Sequence, residues 1–243
     1  MSEHFNRIAG LRNVAALCRL VERVQKRAPD LPGMATYSGP SGWGKSTAAA
    51  YAANRHDCHV IEMKSTWKTK KLLEMIALEL QVRPAKRIPD IADQVAERLA
   101  RSGRTLMIDE AQWLVQAGLI EVVRDIYESS RVGVILIGEE TLPQDLRRWE
   151  RVHGRMLDWV QAEPGTAQDL EQLIPLYAPA VAIAEDLKQA ILLASGPSIR
   201  RMCVNLALVV ARAGDAGRTS MAVADMRGQE LFSGEAPAPR RIA

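Results

Sequence analysis

Apolar side chains at Leu11, Val14, Leu17, Leu20, Val21 and Val24 recur at the three-and-four spacing that lines one face of a helix. Arg and Lys fill the opposite face of this 11–27 stretch, and Pro29 and Pro32 end it. MATYSG (34–39) is a short apolar run entering a glycine-rich turn, and it reads as a strand. From Ser46, STAAAYAANR holds strong helix formers and no breaker. HVIEM (59–63) reads as a second strand and 68–81 as an amphipathic helix. A loop with two prolines at 84–89 follows, then a helix over 90–102 with Asp90 as its cap. TLMID (105–109), VGVILIG (132–138) and MLDWVQ (156–161) are apolar strands, separated by expected helices at 111–130 and 143–151.

Strands alternating with helices predict an α/β fold, a parallel sheet lying between helices. After Pro164 the alternation stops and no convincing strand remains. Helices are expected at 166–177, 185–195, 198–213 and 219–231, separated by Pro179, Gly196-Pro197 and Gly214. The closing GEAPAPRRIA has the composition of a disordered tail. The expected division is a helical segment over 1–29, an α/β core over 30–164, a small all-helical domain over 165–231, and a tail over 232–243.

A length of 243 residues suits one α/β domain with a small appendage. No apolar run approaches the roughly 18 residues of a membrane span, and MSEHFNRIAG lacks the apolar stretch of a secretory signal. The chain therefore reads as cytoplasmic with no membrane partner. Cys18, Cys58 and Cys203 are scattered without metal-ligand spacing, as expected of free thiols in a reducing compartment. A net charge of +3 permits nucleic-acid binding without arguing for it. The distribution adds one feature: Lys64, Lys68, Lys70 and Lys71 fall in a stretch with no acid.

The strongest chemical signal is Gly39-Pro40-Ser41-Gly42-Trp43-Gly44-Lys45-Ser46, a full match to the phosphate-binding pattern G-x-x-x-x-G-K-[ST], with Thr47 following. Glycines let the main chain turn its N–H groups inward around phosphate oxygens, and the helix that follows adds its positive end. Lys45 is placed for the β- and γ-phosphates of ATP, and the Ser46 hydroxyl for Mg²⁺. The second signal is Leu106-Met107-Ile108-Asp109-Glu110, an apolar strand ending in two acids. Asp109 would share the metal with Ser46, and Glu110 would polarise an attacking water, so hydrolysis is the expected chemistry. Asp109-Glu110-Ala111-Gln112 also resembles a helicase box, but a helicase needs a second motor domain.

With both motifs in this order, residues 30–230 resemble the AAA+ family of ATPases. That resemblance implies a polar sensor residue after the fourth strand, where Glu139, Glu140 and Thr141 are all candidates. It implies an arginine finger supplied to a neighbouring subunit. Arg155 is preferred for this role because it directly precedes the next strand; Arg151 is second, and Arg147 and Arg148 read as a solvated face. It also implies a second sensor arginine opening a helix of the lid, and in Gly196-Pro197-Ser198-Ile199-Arg200-Arg201 this is Arg200.

GPSGWGKSTAAAYAA together with IDEAQWL is similar to the small AAA+ ATPases of transposable phages and transposons, the group that includes the B protein of phage Mu. The resemblance implies an ATP-driven ring or helical filament of like subunits on duplex DNA. This assembly would present target DNA to a transposase in a bacterial host cell. Lys64, Lys68, Lys70 and Lys71 would then meet DNA phosphates, with Trp67 packing among them. Two other readings remain: a replication initiator or loader, and a secretion-type motor acting on protein.

Overall fold

The computed structural model describes residues 10–236. Its contacts divide the chain into two compact units: residues 12–41 with 45–163, and residues 164 onward with Gly10, Leu11 and Gly42–Gly44.

The first unit is built on a five-stranded parallel sheet. The strands are β1 (Met34–Ser38), β2 (His59–Glu62), β3 (Leu106–Asp109), β4 (Val134–Gly138) and β5 (Met156–Gln161), in the order β2-β3-β4-β1-β5. Every pairing is parallel, with Thr36 beside Leu136 and Ile61 beside Ile108. β1, β3 and β4 are buried along their whole length, which explains why they read as unbroken apolar runs. Alternate side chains serve opposite faces. Met34, Leu106, Ile108, Val134 and Leu136 join a core with α3 (Thr69–Glu79), α4 (Ile88–Ser102) and α6 (Ile120–Ser130). On the other face α1 (Arg12–Gln25) packs with α2 (Lys45–His56), and the Tyr37 hydroxyl donates to Asn13 O at 3.0 Å. Truncating a fully buried residue such as Ile108 to Ala would cost about 2–5 kcal/mol.

Several expectations are corrected in detail. The helix expected from 90 begins at Ile88, and its N-cap is Arg87 rather than Asp90. Pro89 sits in the first turn, where its missing N–H has no helical partner to lose. The single helix expected over 111–130 is two, α5 (Gln112–Gln116) and α6, parted where Gly118 takes φ +70°. The helix expected over 143–151 is also two short pieces, α7 (Leu142–Leu146) and α8 (Glu150–His153).

In the second unit α9 (Ala167–Tyr177) is opened by a capping box, Thr166 bonding Asp169 N–H while the Asp169 carboxylate accepts from Thr166 N–H. α10 (Glu185–Ser195) and α11 (Ile199–Asp215) pack with it. The unit is not wholly helical, and the helix expected at 219–231 does not form. β6 (Ala182–Ile183) and β7 (Ser220–Met221) make a two-residue parallel pair, followed by a 3-10 turn over Val223–Met226. Strands this short leave too little pattern to read from sequence. Of the expected tail, residues 237–243 lie outside the described residues.

Candidate nucleotide-binding site

β1 delivers the chain to the carboxyl edge of the sheet, where Gly39 N–H bonds Gly138 O at 3.3 Å. Gly42 and Gly44 then take φ of +83° and +84°, left-handed values that side chains resist, so these two glycines are required by the loop's shape. The Lys45 ammonium turns back along the loop to Gly39 O (2.6 Å) and Pro40 O (2.9 Å). α2 starts at Lys45, so its unpaired first-turn N–H groups face the same loop.

Asp109 ends β3 nearly buried, and with Ser46 it lines one groove, the hydroxyl favouring the ionised form of its carboxyl. Burial pushes the Asp109 carboxyl above its ordinary range, against the hydrogen bonds from Ser46 and the Glu110 amide. A hydroxyl beside a carboxylate is the hard oxygen pair that suits Mg²⁺, so the residues present fit the metal. Glu110 is held at φ +57°, a left-handed value that costs about 1–2 kcal/mol in a residue with a side chain. That turn lets its amide reach Asp109 Oδ1 at 2.9 Å and sends its carboxylate to the Gln112 amide. Gln112, 3 % exposed, was given no role in the sequence beyond the Asp-Glu-Ala-Gln run. It lies between Glu110 and Gly138, where a Cβ would come within 2.9 Å of Gln112 Oε1. An open groove of about 530 Å³ runs from Ser46 and Asp109 along α2 to Glu79 and Arg104.

The other expected residues are dispersed. Glu139, Glu140 and Thr141 are exposed after β4, and the Thr141 hydroxyl bonds Asp145. Arg155 precedes β5 but is tied to Glu128, with Nε and Nη2 at 2.8 and 2.6 Å from the same oxygen. The pair holds the Glu128 carboxyl below its usual range. Arg151 is exposed and makes no ion pair among the described residues. In the second unit, Arg200 N–H donates to Gly42 O at 2.9 Å and the Ser198 hydroxyl to the same oxygen at 3.4 Å.

Of the four lysines, Lys64 pairs with Glu62 and Lys70 lies 3.9 Å from Glu74, while Lys68 and Lys71 are exposed without an ion pair among the described residues. Trp67 packs against the core. Reading along the sequence missed a second basic stretch, Arg83, Lys86 and Arg87, all exposed and likewise unpaired among the described residues. Its signal was available: no acid occurs from Leu80 to Pro89. Hydrogen bonds place the first stretch and the end of the second, Lys86 and Arg87, at one edge. α3 ends with Glu79 accepting from Val60 N–H near the start of β2, so α3 begins at the carboxyl edge of the sheet. α4 ends just before β3 begins, and the chain between the helices climbs past Arg98 (to Leu80 O, 3.4 Å) and Gln94 (from Ala85 N, 2.9 Å). α4 therefore also begins at that edge, which carries the phosphate-binding loop Gly39–Ser46, the P-loop, too.

Residues 30–146 match the family model described as the AAA domain. No curated protein matches the chain. Among solved structures it is similar to the Aeropyrum pernix ORC1 protein in complex with DNA, at 17 % identity and TM-score 0.61, covering 85 % of this chain and 61 % of that one. It is similar to Cdc6p from Pyrobaculum aerophilum, at 17 % identity and TM-score 0.65, covering 92 % and 67 %. Drosophila ORC bound to DNA gives 13 % identity and TM-score 0.65, covering 89 % and 58 %. The chain thus spans about three-fifths to two-thirds of the length of these proteins. The fold is that of P-loop AAA proteins: a parallel 2-3-4-1-5 sheet followed by helices. Among the described residues no helix is long and apolar enough to cross a membrane.

Proposed function

We propose that the protein is an ATP-hydrolysing, DNA-binding ATPase of the AAA type that works as an assembly of its own copies. One observation carries the DNA reading: the acid-free basic stretch Lys64–Lys71 and the basic pair Lys86 and Arg87 come to the edge of the sheet that carries the P-loop. Lys68 and Arg87 occupy the N-caps of α3 and α4 with no side-chain cap bond. A cation there works against the helix dipole, so stability does not account for its position. Contacts from such residues go to phosphates and are independent of base sequence.

The P-loop N–H groups and Lys45 would hold the ATP phosphates, with Trp43 and Thr47 flanking them, and Ser46 with Asp109 would hold Mg²⁺. The metal when bound neutralises charge developing on the phosphates. Glu110, its carboxylate oriented by Gln112, takes the proton of the attacking water. Arg151 is the better candidate to reach a neighbouring copy's phosphates, because Arg155 is already bound through Nε and Nη2 to Glu128. Arg200, at the start of α11, is the proposed lid sensor.

Two finer readings follow from different observations. Fold similarity to proteins whose structures are described as ORC1, Cdc6p and ORC supports a replication initiator or loader. The wording of GPSGWGKSTAAAYAA and IDEAQWL supports delivery of target DNA to a transposase. The test is duplex binding at low salt with ATP or a non-hydrolysable analogue, followed by identification of the protein captured with the assembly. No duplex binding under either nucleotide sinks the proposal; capture of a helicase or of a transposase decides between the finer readings.

A further inference from the structure

Asn205 is wholly buried in α11, on the stripe otherwise made of Ile199, Met202, Leu206 and Val209. A buried amide is costly unless its donors and acceptor are all met. Here the main chain of one residue meets most of the need. Phe232 N–H donates to Asn205 Oδ1 at 2.7 Å, and Asn205 Nδ2 donates to Phe232 O at 3.1 Å. The second Nδ2 proton goes to the Ser195 hydroxyl at 3.0 Å. The side-chain amide thus pairs with an extended backbone much as a neighbouring strand does.

The bonds read main chain, not side chain: the Phe232 ring is 46 % exposed and is not the anchor. Shape enters two residues later. Gly234 takes φ +82°, a conformation that side chains resist whatever the space, and lies against Arg201, whose guanidinium a Cβ would have to displace. On either side the segment is lightly held. Residues 227–230 and 233–236 are exposed, and Gly228 takes φ +82° ahead of the bonded residue. A segment fixed mainly by two hydrogen bonds belongs to the low-stability end of the molecule and opens locally.

We propose that the slot formed by Asn205, Ser195 and Arg201 is a docking site for an extended peptide backbone, and that Leu231–Gly234 is its detachable occupant. The partner it fits is a segment with glycine two positions after the bonded residue. The same strap from a second copy of this chain supplies that chemistry atom for atom.

A fluorescent peptide spanning residues 227–236 serves as the probe for a strap offered in trans, with no nucleotide present, so the outcome is independent of the ATPase proposal. In the full chain, Gly234→Val unseats the tethered strap from the exposed surface without touching the core. The Gly234→Val chain should bind the peptide at least tenfold more tightly than the wild-type chain, whose own strap competes. Adding Asn205→Leu should remove that binding, as should a peptide carrying the Gly234→Val change, which leaves the protein untouched. Equal binding by the wild-type and Gly234→Val chains overturns the proposal, as does no binding by the latter or indifference to the peptide's glycine.

Discussion

Ser46 and Asp109 line one groove, bringing the first turn of α2 to the end of β3 and joining the two motifs that carry the chemistry. The same burial that lifts the Asp109 carboxyl makes its ionised form a burden on the fold. From the ordinary 3.8 up to the raised value, the folded state binds more protons than the unfolded one. Stability contributed by this group therefore falls as pH rises through that window, and at neutral pH it has been lost. Asp109→Asn should raise the melting temperature of the metal-free protein near pH 7 while lowering Mg²⁺-dependent ATP hydrolysis by at least about 100-fold. A melting temperature that drops would show that the carboxylate stabilises the fold, contrary to this account.

Lys45 donates to two main-chain carbonyls of its own loop, Gly39 O and Pro40 O. Lys45→Ala removes bonds made by a charged donor, worth about 1.5–3 kcal/mol. ATP affinity measured by titration calorimetry should fall at least about tenfold, and nucleotide-dependent assembly should fail with it. Assembly that persists without nucleotide binding would separate the two processes and refute the coupling proposed.

Glu110 and Gln112 form the other side of the site. Glu110→Gln should slow hydrolysis by about 10²–10⁴-fold, the range of a lost general base, while leaving ATP binding and assembly intact. Gln112→Leu should lower kcat with little change in KM, because Gln112 positions Glu110 and does not bind substrate. Normal turnover in Glu110→Gln would remove Glu110 from the mechanism.

The strands and the P-loop were legible because their signals are local: buried parallel strands are continuous apolar runs, and the loop needs glycine at fixed places. What the sequence hid was set by distant contacts. Gly118 parts α5 from α6 inside a stretch whose periodicity reads as one helix, and Pro89 looks like a loop residue although it sits in the first turn of α4. The link between Arg155 and Glu128 was invisible because α6 and the start of β5 meet only in the fold. The convergence of Lys68 with Arg87 likewise depends on the direction of α3 and α4. The role of Gln112 needed the left-handed turn at Glu110, which no residue preference announces.

That convergence is testable by salt dependence. If Lys68, Lys71, Lys86 and Arg87 each neutralise a DNA phosphate, replacing any one with Ala should weaken duplex binding about equally on unrelated sequences. Each replacement should also reduce the slope of log affinity against log salt by about 0.9. Lys64→Ala should have a smaller effect, since Lys64 is paired with Glu62. A sequence-dependent loss, or an unchanged slope in Lys86→Ala and Arg87→Ala, would count against this edge as the DNA surface.

The start of β2 carries a titration of its own. The His59 side chain is 7 % exposed, its two ring nitrogens lack hydrogen-bond partners among the described residues, and Nδ1 lies 3.6 Å from Glu79 Oε1. It borders a cavity of about 70 Å³ shared with Arg98, Ser102 and Arg104. Burial and the Arg104 charge push the His59 pKa below its ordinary 6.5, against Glu79 and Asp57, which pull it up. The unfolded chain therefore takes up a proton before the folded one does. Stability from neutral His59 is complete above about pH 6.5 and is lost as pH falls through the lowered folded value. Thermal unfolding followed from pH 7.5 to 5 should show the melting temperature declining over that window. His59→Gln should flatten the decline, whatever it does to stability at pH 7.5. An equal decline in the variant would assign the acid sensitivity to other groups.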